Sequence, residues 1–355
     1  LDRGANIVLA GRSTDPGLCL GPLLHEFKWN PSDFNNKDSV SFENMDTFKS
    51  FDLIKDKICS ANVYISCFTV ADALSQGADI VLAGRITDPG LVLGPCIYEF
   101  KWGKENYNKL AQATVAGHIV ECGAQCTGGN FSHWYEVDDF SKIGYPIISI
   151  NSDGEFTISK EKESSGLVNK YTVSEQILYE IGDPKQYLSP DVTVDFTSFS
   201  IEEIAKNKIK VTGTKGYSPP NTLKVAISYF DGYKAHGQLT ISGPDALDKA
   251  KIVSKTIWGR LKLAGCEISN KRTEFLGVSS CFGNILPKPN HINEVVLRLG
   301  VRSANKDKVI RFSKELAPII TSGPPGVTGF SGGRPKPKKI IGYWPSLINK
   351  DLIKT

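Results

Sequence analysis

The stretch ANVYISCFTVADALSQGADIVLAG, residues 61–84, has the pattern on which the prediction of a fold class depends. Within it, Asn62–Ser66 has the composition of a β-strand, and Asp79–Ala83 is a second, continuously apolar strand candidate. The intervening Val70–Gln76 has helical spacing and ends near Gly77. Because strand, helix and buried strand in succession are typical of parallel sheets, we predict an α/β fold with a Rossmann-like three-layer parallel or mixed sheet.

Polar residues directly follow the second predicted strand. In parallel sheets, ligands bind beyond the carboxyl ends of the strands, which is where Gly84, Arg85 and Asp88 would emerge. The Arg85 guanidinium could hold a carboxylate or a phosphate there. The simpler alternative is an ion pair between Arg85 and Asp88 that closes the loop, and residue spacing alone favours this alternative.

Part of this region occurs twice in the chain. Gly4–Trp29 realigns with Gly77–Trp102, and 20 of 26 positions are identical. Repeat architectures need at least three similar units, so we interpret the first copy as a recent exon duplication or a splice error in the gene sequence. The alternative is a pair of equivalent sites on a pseudo-symmetric fold. The first copy supplies its own candidate residues, which are Gly11, Arg12, Thr14 and Asp15.

The composition of the 355 residues is ordinary for a globular protein, with 40% hydrophobic and 23% charged residues. A net charge of +4, dispersed except for a short basic stretch near Lys338, gives no reason to expect nucleic-acid binding. No apolar run is long enough to span a membrane. Eight cysteines are too sparse for a disulfide scaffold, so we expect a soluble, cytoplasmic protein with reduced thiols. Because the chain opens with Leu1 and its only methionine is Met45, we expect a fragment, and a mitochondrial leader could precede it.

The helix predicted over Tyr107–Gln125 carries the most informative polar stripe in the sequence. The stripe has spacings of i, i+3, i+4 and i+7 on one helix face, and its members are His118, Glu121, Cys122 and Gln125. A histidine beside a carboxylate could act as a general acid or base, because the carboxylate fixes the imidazole tautomer. His118 with Cys122 and Cys126 is a weaker candidate for part of a metal site. Spacing alone favours a structural histidine among small apolar residues.

The pattern changes near residue 150. Asp153-Gly154 is a hairpin turn signal between two strand candidates, Ile147–Ile150 and Phe156–Ile158. A capping box of Thr172 and Glu175 predicts a helix over Thr172–Glu180. Further strand candidates are Val192–Phe196, Lys208–Thr212, Thr222–Tyr229, Gln238–Ser242 and Glu294–Val301, with helices at Pro244–Ala264 and Asp307–Leu316.

Three regions follow from these patterns. We predict a partial duplicated segment and linker over 1–60, an α/β core over 61–148 and an α+β subdomain over 149–355. The last region contains a Gly/Pro-rich loop, Ser322–Pro335, in which Arg334 and backbone amides could hold an anion. An irregular loop is the favoured interpretation, because neither a Walker A sequence nor a dinucleotide-binding fingerprint is present.

Several motifs, taken in order along the chain, resemble the acyclic terpene utilisation protein A family. They extend from Ala61 to Ile348 and include ADALSQGADIVLAGRITDPGLVLGP, AGHIVECGAQCTGG, KIGYPIISINSDGEFTISK and GPPGVTGFSGGRP. The AGHIVECGAQ string with its following TGG is the most specific of them. The family's N-terminal portion, which carries the first βα units, has no counterpart here. The resemblance therefore implies an N-terminally incomplete sheet.

The resemblance implies a role in the catabolism of acyclic terpenes such as citronellol and geraniol, beside enzymes that act on branched acyl-CoA thioesters. By motif matching, it implies three catalytic candidates: His118, Glu121 and Asp88. It implies substrate-binding candidates at Gly84, Arg85, Gln125, Gly128, Gly129, Lys160 and Arg334, with Cys122, Gly326 and Gly333 as further motif positions. The amides of the TGG string would then face a thioester oxyanion or the CoA phosphates.

Our working hypothesis is an acyl-CoA enzyme of the hydratase or lyase type, in which His118 and Glu121 transfer protons. Its substrate would be a CoA thioester or a carboxylate, with no separate cofactor or metal. A second hypothesis is a non-catalytic subunit that binds an acyl-CoA, as a homo-oligomer or as the partner of a carboxylase. A third is an inactive fragment, because half of a parallel sheet would expose open edges.

Overall fold

A computed structural model describes residues 42–278, 280–283, 285, 287, 291–329 and 333–353 of the chain. The first copy of the repeat, with Gly11, Arg12, Thr14 and Asp15, lies outside the described residues. Residues 330–332, in the middle of the Gly/Pro-rich loop, lie outside them as well. No helix within the described ranges has the length and the apolar composition needed to cross a lipid bilayer.

Seven α-helices form in the described part of the chain. They are α1 (Phe68–Ser75), α2 (Gly90–Phe100), α3 (Tyr107–Glu121), α4 (Lys170–Leu178), α5 (Ala246–Leu263), α6 (Lys306–Ser313) and α7 (Ile319–Ser322). Short 3-10 helices lie at Phe51–Leu53, Lys55–Lys57, Gly123–Thr127, Trp134–Glu136, Phe140–Lys142 and Lys350–Leu352.

Thirteen strands alternate with these helices in the described ranges. They are β1 (Ile58–Val63), β2 (Pro146–Ile150), β3 (Phe156–Lys160), β4 (Tyr187–Leu188), β5 (Thr193–Asp195), β6 (Ser200–Ala205), β7 (Lys208–Thr212), β8 (Lys215–Tyr217), β9 (Thr222–Ser242), β10 (Asn270–Leu276), β11 (Glu294–Ser303), β12 (Val327–Thr328) and β13 (Lys338–Asn349).

Two compact units divide the chain. Among the described residues, unit 1 contains 42–53, 60–227 and 345–353, and unit 2 contains 54–59 and 228–344. Strands β1, β9 and β13 contribute residues to both units. The boundary predicted at 148/149 falls inside unit 1, because strands that follow it, such as β8, pack against α3.

Unit 1 contains two small antiparallel sheets, with strand orders β2–β3–β7–β6 and β4–β5–β8. The predicted hairpin is confirmed: Ile148 pairs with Ile158, and the turn between β2 and β3 contains Gly154. The φ of Gly154 is +89°, a left-handed conformation that favours glycine. The turn residues that predicted the hairpin therefore form the turn in the structure.

The prediction of a Rossmann-like parallel sheet is wrong, because the strands of these sheets pair antiparallel, although the mixed α/β composition is confirmed. The predicted helix is present as α1, and β1 overlaps the first predicted strand, but Asp79–Ala83 forms no strand. Ile80 and Leu82 are 83% and 87% exposed. A strand needs neighbours on both edges to be buried in a parallel sheet, and this apolar run has none among the described residues.

Helix α3 lies at the centre of unit 1. Its residues from Leu110 to Ile119 are all buried, so the helix has neighbours on every side. Small side chains such as Ala111, Ala113 and Ala116 permit this, because they let other backbones approach closely. The helix ends at Glu121, earlier than the predicted Gln125, and a 3-10 turn continues the chain.

Unit 2 is an antiparallel sheet on which the helices α5, α6 and the short α7 pack. Strand β9 runs for 21 residues, so the predicted strands Thr222–Tyr229 and Gln238–Ser242 are two parts of one strand. It pairs with β11 on one edge and with β12 on the other, and β11 pairs in turn with β10. The sequence predicted helix α5 over Pro244–Ala264, and the helix is present. It packs on this sheet beside α6 and buries an apolar stripe that consists of Ala250, Val253, Ile257 and Leu261.

Candidate functional site

Gly117 brings the C-terminal half of α3 against the start of α2. A Cβ atom at Gly117 would lie 2.4 Å from the Pro89 carbonyl oxygen and 2.7 Å from the Pro89 Cα atom, so only glycine permits this approach. Asp88 directly precedes Pro89, and His118 directly follows Gly117. The contact therefore places the two most distinctive motifs of the sequence next to each other.

Both ring nitrogens of His118 have hydrogen-bond partners. Nδ1 lies 2.8 Å from Oε1 of Glu121, and Nε2 lies 3.0 Å from the backbone carbonyl oxygen of Gln176. The imidazole is 2% exposed, and the edge of the Phe196 ring meets it with the ring centroids 5.6 Å apart. The site is thus formed by α3 and α4, with a wall from the end of β5.

The partners of His118 determine where its protons lie. A carbonyl oxygen only accepts, so Nε2 carries a proton that it donates to Gln176. If no proton lay between Nδ1 of His118 and Oε1 of Glu121, two hydrogen-bond acceptors would face each other. One proton is therefore shared between His118 and Glu121. Both ring nitrogens of His118 thus have partners within the protein, and the imidazole contacts Oε1 of Glu121.

Two buried side-chain oxygens in this cluster have no hydrogen-bond partner among the described residues. One is Oε2 of Glu121, whose side chain is 12% exposed, and the other is Oε1 of Gln176, which is fully buried. Both are acceptors, so the cluster offers two positions to a donor. An unsatisfied buried polar group is costly, and in a folded protein it is a reason to look for a ligand or a reaction at that place.

Burial and negative charge act together on the groups around Glu121. Burial is the main reason why the pKa of the Cys122 thiol is raised, and Glu121, Glu180 and Asp88 raise it further. Burial also raises the pKa of Tyr187 far above its usual range, with smaller contributions from Glu121 and Asp88. Both groups therefore keep their protons at neutral pH. Asp88 and Glu121 lie within electrostatic range of the same two side chains.

Arg85 lies on an aromatic side chain rather than in an ion pair with Asp88. Its guanidinium carbon is 5.1 Å from the centre of the Tyr64 ring, and Nη2 donates to the Tyr64 hydroxyl at 3.2 Å. The Lys224 ammonium lies 5.7 Å from the same ring. Two cationic side chains, Arg85 and Lys224, thus lie at one aromatic ring of unit 1, and Gly84 is the half-buried residue before Arg85.

Gln125, Gly128 and Gly129 form the turn that follows α3. The Gly128 amide donates to the Gln125 carbonyl and the Gly129 amide to the Ala124 carbonyl, at 3.3 and 2.8 Å. A Cβ atom on Gly129 would lie 2.9 Å from the Ala124 oxygen, so the close turn requires glycine. Both amides are therefore bonded within the turn, in the place where the sequence suggested donors to an anion.

Lys160 lies in another part of unit 1, and Arg334 belongs to unit 2. The Lys160 ammonium donates to the carbonyl oxygens of Ser164 and Glu161, so it holds the loop that follows β3. Arg334 is an exposed residue of unit 2, as is Gly333 beside it, and the carbonyl of Gly326 in unit 2 accepts from the Ser242 amide at 2.9 Å. The structure therefore brings together the candidates on α3 and the segment at Asp88, and it does not add Lys160 to them.

The sequence suggested His118, Cys122 and Cys126 as weak metal candidates. Among the described residues, no group of three or more His, Cys, Asp or Glu side chains is arranged to hold a metal ion. Both nitrogens of His118 are bonded, and burial raises the pKa of the Cys126 thiol to about 12, which disfavours the thiolate that a metal needs.

Two polar residues of this region were missed from the sequence. Gln176 lies on the buried face of α4 beside Val173 and Ile177, and a glutamine in an otherwise apolar helix stripe was the signal for it. Asp191 is 4% exposed, and its carboxylate accepts from Ser66 Oγ at 2.5 Å and from the Cys67 amide at the start of α1. Nothing in the sequence near Asp191 indicated a helix cap more than a hundred residues away.

A comparison with known proteins finds one family. The sequence model of the acyclic terpene utilisation family protein AtuA matches residues 1–37 and 34–355. No curated protein and no solved structure matches the chain. The matched segments span nearly the whole sequence and contain the histidine, glutamate and glycines described above. This chain therefore belongs to the acyclic terpene utilisation family.

Proposed function

We propose that the chain acts in the catabolism of acyclic terpenes and related branched acids, on a CoA thioester, with Glu121 as the group that moves a proton. The observation that carries this proposal is the asymmetry of the Glu121 carboxylate. Oε1 is held by His118 at 2.8 Å, and Oε2 is buried without a partner in the described part of the chain. A carboxylate fixed through one oxygen presents the other in a defined direction.

The chemistry that suits this arrangement is proton removal beside a thioester carbonyl. Oε2 of Glu121 takes the proton from the α carbon, the C–H electron pair moves into the carbonyl group, and an enolate forms. The reverse step returns the proton to carbon. Hydratases and lyases that act on acyl-CoA use such a step, and Asp88, within electrostatic range of the same side chains, is the candidate for a second proton transfer.

Arg85 is the candidate for binding the anionic part of the substrate. Its guanidinium is fixed against Tyr64, and Lys224 lies near the same ring. Two cations on one aromatic ring favour a carboxylate or a phosphate group over a neutral one. In this proposal, His118 positions Glu121 and does not touch the substrate.

Isotope exchange tests the proposal without knowledge of the product. The purified chain is incubated with citronellyl-CoA in D2O, and loss of the α-proton signal is followed by NMR, with acetyl-CoA as the unbranched comparison. We expect exchange with the branched thioester and at least about a 100-fold loss in Glu121→Gln. The control is Glu136→Gln, an exposed glutamate. Equal rates of exchange in Glu121→Gln and in the parent chain would show that Glu121 does not take the proton.

A second candidate function is a non-catalytic subunit, and the exposed run Asp79–Ala83 favours it. Ile80 and Leu82 are each more than four-fifths exposed, which is unusual for large apolar side chains. A partner protein such as a biotin-dependent carboxylase would cover them. We expect the tagged chain then to copurify with a biotinylated protein, and the double variant Ile80→Ser, Leu82→Ser to lose it. A dimer of the chain alone, seen by light scattering and lost in the same variant, would assign the surface to a second copy.

A further inference from the structure

A cleft in unit 2 lies on the outer face of the β9–β11–β10 sheet. It has a volume of about 480 Å³, which is within the size range of sites for small molecules. Its lining includes five basic residues and, among the described residues that form it, no aspartate or glutamate: Lys234, His236, Lys271, Arg272 and Arg302. No residue of the Glu121 cluster lines this cleft, and the inference below does not depend on the proposed function.

The strand register places the basic side chains around one glycine. Arg302 pairs with Lys234 in β9, and Gly300 pairs with His236 in β9 and with Arg272 in β10. Residues two apart on a strand share a face, so these four side chains lie on the same side of the sheet. A Cβ atom at Gly300 would meet nothing within 4 Å. Gly300 is therefore the open floor of the cleft, which we call the Gly300 cleft.

Only part of this positive charge is neutralised by the protein. Arg302 is bonded to Asp231, and Arg272 lies 2.9 Å from Glu274. Lys234 and His236 have no ion-pair partner in the part of the chain that the structure describes, and both are exposed. Lys271 belongs to the other face, because its ammonium lies 5.5 Å from the Trp258 ring. The uncompensated charge is thus on the β9 side of the floor.

The spacing of the charges indicates the kind of ligand. Opposite residues on neighbouring strands have Cβ atoms about 5 Å apart, and two residues along a strand cover about 7 Å. His236 and Arg272 are separated by the whole of β11, which is about 10 Å. A ligand with two or more anionic groups can contact the basic side chains on both sides of the floor at once.

We propose that the Gly300 cleft binds a small molecule that carries two or more phosphate groups. A terminal phosphate brings nearly two charges and three acceptor oxygens, which matches guanidinium and ammonium donors on either side of a floor without a side chain. The glycine lets a phosphate approach the sheet surface between them. A long nucleic acid is the less suitable ligand, because the patch is confined to one cleft.

Calorimetric titration of the full chain tests this proposal, with pyrophosphate, tripolyphosphate and ATP as probes and citrate as a carboxylate of similar charge. We expect binding of the oligophosphates with at least about a tenfold preference over citrate. Lys234→Gln and Arg272→Gln should each weaken binding about tenfold, and Gly300→Val should abolish it, because a valine fits an exposed strand position but fills the floor. The matched control, Lys255→Gln, changes an exposed lysine of α5 and should bind like the parent chain.

The outcomes separate clearly. Loss of oligophosphate binding in Lys234→Gln or Gly300→Val, with Lys255→Gln unchanged and thermal unfolding intact, supports the proposal. Tighter binding by ATP than by tripolyphosphate also supports it and identifies a nucleotide as the ligand class. Absence of binding, equal binding of citrate, equal affinity in every variant, or stronger binding of a single-stranded oligonucleotide would each overturn it.

Discussion

His118 and Gln176 bind each other in both directions. The His118 imidazole donates to the Gln176 backbone carbonyl at 3.0 Å, and the Gln176 side-chain amide donates to the His118 backbone carbonyl at 2.8 Å. Helix α3 ends at Glu121, so the His118 carbonyl is one of the last four, which have no partner inside the helix. Gln176 therefore closes the end of α3, and the same pair holds the imidazole that positions Glu121.

Gln176 should contribute to stability through that donated bond. Gln176→Met keeps the approximate volume and leaves the His118 carbonyl without a donor, so we expect a loss of about 1–3 kcal/mol in the free energy of unfolding. Gln176→Glu puts a carboxylate against that carbonyl, and its loss should be larger at neutral pH and smaller in acid, where a carboxylic acid can donate. Denaturant unfolding at several pH values measures both. The control is Gln186, which is exposed; the same two changes there should have effects below about 0.5 kcal/mol.

Two glycines in helices allow a matched test of the contact at Pro89. Gly117→Ala in α3 would place a Cβ atom 2.4 Å from the Pro89 carbonyl oxygen, and we expect a loss of about 1–3 kcal/mol as the helices move apart. Gly259→Ala in α5 meets nothing within 4 Å, and we expect a gain of about 0.5–1 kcal/mol from helix propensity. Thermal unfolding of the two variants compares them. Equal effects would mean that the close contact does not hold α2 and α3 together.

Local signals predicted local structure well in this chain. The hairpin at Gly154 and the long helix α5 depend on turn chemistry and on spacing within one segment, and both are present. The cap of α4 shows the limit of such signals. The sequence suggested Thr172 as the capping residue, but Asn169 caps the helix, and Thr172 is the third helical residue, whose hydroxyl accepts from the Asn169 amide. Asparagine and threonine both cap helices, so the residue type alone does not indicate which of the two occupies the N-cap position.

The parallel sheet could not be judged from the run Asp79–Ala83, because an apolar run does not indicate which strands will lie beside it. The same limit applies to the site. The sequence placed His118 and Glu121 one helical turn apart, and their hydrogen bond is present. Gln176 and Asp191 are brought in from distant segments, and their burial depends on tertiary packing that periodicity does not describe.

Cysteine reactivity should follow burial. Cys59 and Cys281 are exposed, whereas burial raises the pKa of Cys96 to about 11 and of Cys126 to about 12, and raises that of Cys67 further. Because the thiolate is the reactive form, iodoacetamide at pH 8 should modify the two exposed residues first. Cys67, Cys96 and Cys126 should react only after unfolding. Peptide mapping by mass spectrometry at increasing times measures this order, and early modification of Cys67 or Cys126 would contradict the packing of α1 and α3.

Glu274 should make the stability of the chain depend on pH in acid. Its carboxylate is 14% exposed and lies between two guanidinium groups, with Nε of Arg298 at 2.5 Å and Nε of Arg272 at 2.9 Å. The hydrogen bond from Arg298 is the main cause that holds the pKa of Glu274 below 4.5, against the opposing effect of burial. A carboxyl group whose pKa is lower in the folded state binds protons less readily there than in the unfolded chain.

The stabilisation from Glu274 is therefore fully present above about pH 4.5 and is lost as the pH falls through the lower pKa of the folded state. A glutamine side chain cannot titrate, so the difference in unfolding free energy between the parent chain and Glu274→Gln should be constant near neutral pH and should shrink in acid. Denaturant unfolding between pH 3 and pH 7 gives this difference. In an Arg298→Gln background the main cause of the low pKa is absent, so the same substitution should show a weaker pH dependence. An equally steep dependence in that background would mean that Arg272 alone, and not the bond from Arg298, determines the charge state of Glu274.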